Sequence, residues 1–146
     1  MTTVDITEYT AMAPYFEVIS NALDGLVDGE NFFDLHADDV VVDYVITVPD
    51  YPKRIVGRDN LATLYRGYGQ SIVQDRASDI RTYYDRDKSV VVVEYTIHGT
   101  VVGSGEPYLN RFISVIEITN RKITHWRDYL DPLAVIAAFG DTAPGT

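Results

Sequence analysis

His125-Trp126-Arg127-Asp128-Tyr129-Leu130-Asp131-Pro132 is the stretch on which the fold turns. Read within a strand over residues 122 to 130, it puts Thr124, Trp126, Asp128 and Leu130 on one face, because successive strand side chains point to opposite sides. Asp128 thus lies between two large apolar neighbours. A carboxylate held there loses water, and the loss must be met by hydrogen bonds, a paired charge or a raised pKa. Asp131 before Pro132 has the form of an N-cap with proline at the first helical position. A short helix over about Leu133 to Phe139 therefore follows the strand.

Working back from this strand, residues 108–119, 89–100 and about 77–84 read as three more. Their turns fall at Asn120-Arg121, Gly103-Ser104-Gly105 and Asp85-Arg86-Asp87, the short connections of an antiparallel meander. Residues 40–48 alternate as a first strand, with Val40, Val42, Tyr44, Ile46 and Val48 on the core face. Before it, Met12, Tyr15, Phe16, Ile19, Leu23, Leu26 and Val27 have the spacing of an amphipathic helix stopped by Asp28-Gly29. Pro14 belongs to that helix's first turn, and a short helical piece is expected from Asn31 to His36. Ala37-Asp38-Asp39 then turns the chain. Leu61, Leu64, Tyr65 and Tyr68 line a second helix, capped near Asp59 or Asn60 and weakened at its end by Gly67 and Gly69.

The long strands are apolar on both faces, with Val90 and Val92 opposite Val91 and Val93, and Phe112 and Ile116 opposite Ile113 and Val115. There are too few helices to cover both faces. The expectation is a homodimer in which a second copy packs on the outer sheet face.

The 146 residues suit one domain, assigned to 1–140 with a flexible tail over 141–146. A net charge of −10 without any Lys/Arg cluster argues against nucleic acid and anionic membranes as partners. The lack of cysteine excludes a disulfide frame and a thiolate nucleophile. With no leader-like opening and no apolar run of membrane-spanning length, a cytoplasmic location is expected. His36, His98 and His125 show no ligand spacing, so no metal is expected.

The order of elements, ending in Trp-Arg-Asp-Tyr-Leu-Asp-Pro, resembles the nuclear-transport-factor-two-like superfamily. Leu35-His36-Ala37-Asp38-Asp39, Gly57-Arg58-Asp59 and Lys122-Ile123-Thr124-His125-Trp126-Arg127-Asp128-Tyr129 resemble its SnoaL-like group, which includes polyketide cyclases, ketosteroid isomerases and limonene-epoxide hydrolases. The resemblance implies an α+β fold in which a cone-shaped, curved antiparallel sheet wraps an N-terminal helix. It also implies frequent dimers, and acid/base chemistry on small hydrophobic molecules without a cofactor. Compared with the epoxide hydrolases, Asp128 matches one acid, while Tyr95 and Ile97 stand where the arginine and second acid belong. Compared with the ketosteroid isomerases, Tyr44 takes the base position, Ser114 the acid position, and Ala22 lies near that of the helical tyrosine.

Strand alternation gives the site candidates. Asp128, Tyr44 and Tyr95 are the catalytic ones, with Asp128 as general acid or base and the phenols as donors to a developing oxyanion. Asn110, Ser114, Phe112, Trp126, Val42, Ile97 and Leu130 complete a mostly apolar lining for a small hydrophobic molecule. Two function classes follow. One is an isomerase, cyclase or hydrolase; the other is a non-catalytic binder of an apolar ligand or a dimerising scaffold.

Overall fold

The computed structural model describes residues 5 to 139, so the tail assigned to 141–146 lies outside the described residues. A 3₁₀ helix, Ile6–Met12, leads into α1, Ala13–Ala22, with Pro14 in the first turn of α1. A second 3₁₀ turn, Phe33–Leu35, has its amides capped by the Asn31 side chain, which accepts from Phe33 N and Asp34 N. The strands are β1 His36–Ile46, β2 Arg54–Val56, β3 Ile72–Asp85, β4 Val90–Val101, β5 Pro107–Thr119 and β6 Lys122–Leu130. Helix α2, Arg58–Ser71, joins β2 to β3, and α3, Pro132–Phe139, follows β6.

One six-stranded sheet has the order β2-β1-β6-β5-β4-β3. The expected meander β3-β4-β5-β6 is present and antiparallel. β1 lies beside β6 in parallel, so the sheet is antiparallel except at that one pair. The curved, open sheet wraps α1 and the aromatic residues of the chain around it, with Phe16, Ile19, Leu23, Phe32, Phe33, Val91, Val93 and Ile116 all buried.

Several boundaries differ from those expected. α1 ends at Ala22 rather than at Asp28, because the chain turns through Leu23 and then Gly25, whose positive φ suits glycine. His36-Ala37-Asp38-Asp39 is part of β1 and not a turn. α2 begins at Arg58, behind Gly57 at φ 97, and runs through both Gly67 and Gly69. β3 starts directly after it at Ile72, five residues earlier than its alternation indicates.

Register shifts account for the side chains that face the other way. A shift after Tyr44 opposite β6 leaves Val45 and Ile46 exposed, although Ile46 was expected in the core. A shift between Glu117 and Ile118 lets β6 turn Ile123 into the core, where it is fully buried, in place of Thr124. Asp131 does cap α3, accepting from Leu133 N at 3.0 Å.

Candidate active site

Asp128 stands on the inner face of β6, next to Tyr44 of β1 on one side and Ser114 of β5 on the other. It is 4% exposed. Ser114 Oγ donates to its Oδ1 at 2.6 Å and Trp126 Nε1 donates to the same oxygen at 2.9 Å. Among the described residues no hydrogen bond is made to Oδ2, and Asp128 lines a cavity. The carboxyl is thus held by one oxygen and open at the other. Burial pushes its pKa up to about 6, against the opposing pull of Ser114 and Trp126. Among the described residues no cation pairs with it: Arg127, which points to the other face, bonds Glu117 at 2.7 Å.

The proton order around Asp128 follows from the donor inventory. Ser114 has one hydroxyl proton, and it goes to the carboxylate. The Tyr95 hydroxyl, 2.8 Å from Ser114 Oγ, is therefore the donor in that contact. Tyr95, Ser114 and Asp128 form a directed chain across β4, β5 and β6. Phe112 stacks on the Tyr95 ring at 5.3 Å and 9°, which fixes its plane.

Opposite the carboxyl lies a group of phenols. Tyr15 of α1 and Tyr65 of α2 have their hydroxyls 3.0 Å apart, and the Tyr44 hydroxyl reaches Tyr65 at 3.5 Å. Tyr51, from the connection between β1 and β2, sets its ring edge against Tyr44 at 5.2 Å. Burial raises the pKa of all four well above the usual phenol value, as it does for Tyr95. The carboxylate adds to the shift in each case. These hydroxyls stay protonated and remain donors across the working pH range.

The cavity between carboxyl and phenols is lined by Tyr15, Tyr44, Tyr51, Tyr65, Gln74 and Asp128, together with Met12, Tyr68, Ile97 and Phe112. Its volume is about 30 Å³, room for a water-sized group and little more. No Lys, Arg or His is among its walls.

Of the residues expected from the sequence, Asp128, Tyr44, Ile97 and Phe112 meet at this cavity. Tyr95, Ser114 and Trp126 are behind it, as supports of Asp128. Asn110 is buried but occupied: it donates to the Tyr108 hydroxyl at 2.8 Å and accepts from Asp131 N at 3.0 Å. Val42 is buried beside Trp126, and half-buried Leu130 pairs with Phe112, both outside the cavity lining. From the sequence, Tyr15 belongs to the stripe of the first helix and Tyr65 and Tyr68 to that of the second, while Tyr51 and Gln74 are not among the site candidates. From α1 it is Tyr15 that reaches the site, not a residue near Ala22.

The SnoaL-like domain profile matches residues 17–126. An uncharacterized Bacillus subtilis protein, YesE, is 30% identical over 113 residues, 77% of each chain. A crystal structure of a proposed isomerase from Bacillus subtilis superposes with TM-score 0.74 at 25% identity, covering 95% of this chain and 92% of that one. A phenazine biosynthesis-related protein from Pseudomonas aeruginosa (TM-score 0.66, 19% identity, 99% and 90% covered) shares the fold. So does an LEH-like epoxide hydrolase from M. tuberculosis (TM-score 0.57, 23% identity, 90% and 89% covered). The match over three quarters of the sequence and the shared α+β architecture lead to one conclusion: this chain belongs to the SnoaL-like domain family, built on the NTF2-like fold.

Proposed function

We propose that the protein is an acid/base enzyme of the isomerase, cyclase or hydrolase kind, acting on a small, neutral, largely apolar molecule. The observation that carries this reading is Asp128: a buried carboxyl, unpaired by any cation, tied at Oδ1 and open at Oδ2 to the cavity. With a pKa near 6 it exchanges a proton readily around neutrality, where an ordinary aspartate is a weak base. Its Oδ2 takes a proton from a carbon next to a carbonyl, and the electron pair moves to the carbonyl oxygen. A phenol hydroxyl of the Tyr15, Tyr44 and Tyr65 group donates to that oxygen as charge develops on it. The protonated Asp128 then returns the proton to the same or a neighbouring atom.

The cavity is far smaller than the roughly 300–1,000 Å³ of small-molecule sites. Admission of a substrate requires a wall to yield, and we assign that part to Tyr51. It stands in the connection over residues 47–53, where the Thr47 hydroxyl is buried without a hydrogen-bond partner. The proposal includes a homodimer through the outer sheet face, where Tyr83, Leu109 and Ile113 are exposed. Sedimentation of Ile113→Asp against the parent protein checks it, with dissociation expected.

The reaction class can be tested without knowing the natural substrate. Deuterium incorporation next to the carbonyl of small cyclic ketones in D₂O is followed by proton NMR. The parent protein should accelerate exchange, and Asp128→Asn should lower that acceleration by about 10²- to 10⁴-fold. An Asp128→Asn rate equal to the parent's would remove Asp128 from the chemistry.

A further inference from the structure

Gln74, like Asp128, lines the cavity with a polar end that is committed on one side only among the described residues. It stands on β3, is 7% exposed and lines the cavity. Its Oε1 accepts from Tyr15 N at 3.0 Å, near the start of α1, where backbone amides lack partners within the helix. A backbone N–H can only donate, so the oxygen of the carboxamide must face Tyr15 and the nitrogen must face away from it. Nε2 makes no hydrogen bond among the described residues. The amide nitrogen is therefore a donor left for whatever molecule occupies the cavity.

Local geometry holds Gln74 in this position. It pairs with Gly99 of β4, and the ladder shifts register between Gln74 and Arg76. A Cβ at position 99 would come within 2.7 Å of Val73 O and 3.4 Å of Gln74 Cα. Glycine there allows β3 to lie close to β4 and carries the Gln74 carboxamide toward the phenols. The cavity wall thus offers an acceptor, Asp128 Oδ2, and a fixed donor, Gln74 Nε2, with no cation to attract an acid.

We infer that Gln74 is a substrate-positioning residue whose Nε2–H donates to an oxygen of a neutral ligand, so that the site selects carbonyl compounds over both hydrocarbons and carboxylic acids. This rests on the acid/base reading above for the location of the ligand, and adds the group it must carry.

The test uses cyclopentanone, cyclopentane and cyclopentanecarboxylate as probes on the ¹⁵N-labelled full chain. Gln70 and Gln74 are the only glutamines, so Gln74→Glu assigns the side-chain amide signal by its loss. That variant also keeps an oxygen for Tyr15 N while removing the donor. The expected result is a saturable downfield shift of the Gln74 amide with cyclopentanone and none with cyclopentane or the carboxylate. Gln74→Glu should weaken cyclopentanone binding by about three- to tenfold and leave cyclopentane unchanged. An unmoved amide at saturating ketone, equal ketone affinity in the variant, or no ketone binding would each overturn the inference. Titration of the Asp128 carboxyl on the ¹³C-labelled full chain separates the two claims. A raised Asp128 pKa with an unresponsive Gln74 overturns only this inference; a responsive Gln74 with an ordinary Asp128 overturns only the acid/base reading.

Discussion

Asp128 and Asp43 are placed on neighbouring strands, one register position apart across the β1–β6 pair, yet they face opposite sides of the sheet. On the outer face, Asp43 accepts from Arg54 Nε at 2.7 Å, and its Oδ2 lies 2.8 Å from His125 Nε2. Its pKa is held below the usual aspartate value, first by Arg54 and then by His125. On the inner face, Asp128 has only two neutral donors, and burial overrides them. The same side chain is a stable anion on one face and a poised acid on the other. What separates them is burial first, and with it the absence of a cation beside Asp128. Asp43, satisfied by arginine, has no proton chemistry left to offer near neutrality.

The largest effect that would test this contrast is on stability against pH. The folded-state pKa of Asp128 is raised from 3.8 to about 6, so the folded state binds the extra proton and loses stability as pH rises through that interval. The loss amounts to about 3 kcal/mol. Asp128→Asn keeps an oxygen for Ser114 and Trp126. Its advantage over the parent protein should grow from near zero below pH 4 to about 3 kcal/mol above pH 6, read from urea denaturation.

His36 has the opposite sign. It is fully buried against Trp126, with Nδ1–H on the Phe32 carbonyl and Nε2 unpartnered, and burial lowers its pKa from 6.5 to about 4. Its stabilisation is fully present above 6.5 and falls by about 3 kcal/mol as pH drops toward 4. The two groups therefore offset each other between about pH 4 and 6 in the parent protein. Asp128→Asn should uncover the slope due to His36, and His36→Asn the slope due to Asp128.

A smaller effect sharpens the account of the inner face. Ser114→Ala removes the first of the two hydrogen bonds that hold the Asp128 pKa down, so the pKa should rise further, by about one unit, in a carboxyl NMR titration. A fall would mean that Ser114 is not the donor. The smallest effect belongs to the outer face. His125 bridges Asp43 and Glu117, and Arg127 also bonds Glu117, in a network that is about one-fifth to two-fifths exposed. His125→Ala should cost less than about 1 kcal/mol, less still in salt, and leave the Asp128 titration unmoved.

The contrast between the faces was partly visible in the sequence. Alternation put Trp126 and Asp128 on one face and Arg127 on the other, and the same rule placed Tyr44, Tyr95, Phe112 and Ser114 inward. It failed where a strand shifts register. Nothing in the sequence marks the extra residue after Tyr44, so Ile46 looked like core, and nothing marks the shift that turns Ile123 inward in place of Thr124. Tyr15 and Tyr65 were legible as buried positions at helical spacing. That their hydroxyls meet across α1 and α2 is a matter of helix packing, which periodicity does not carry. Asn110 shows the reverse limit: its face was right, but Tyr108 and the Asp131 amide had already engaged it. Gln74 was missed because the second helix is weakened at Gly67 and Gly69 and the next strand is read only from about residue 77, whereas α2 runs to Ser71 and β3 begins at Ile72.

The central claim is that Asp128 is an uncompensated buried acid. Carboxyl-carbon NMR on ¹³C-labelled protein, with the Asp128 signal assigned by its loss in Asp128→Asn, measures this directly. The account predicts a midpoint about 6 for Asp128 and one below the ordinary aspartate value for Asp43 in the same titration. An Asp128 midpoint at or below about 4 would contradict it, since the inner and outer carboxylates would then be alike and no acid would be poised at the cavity.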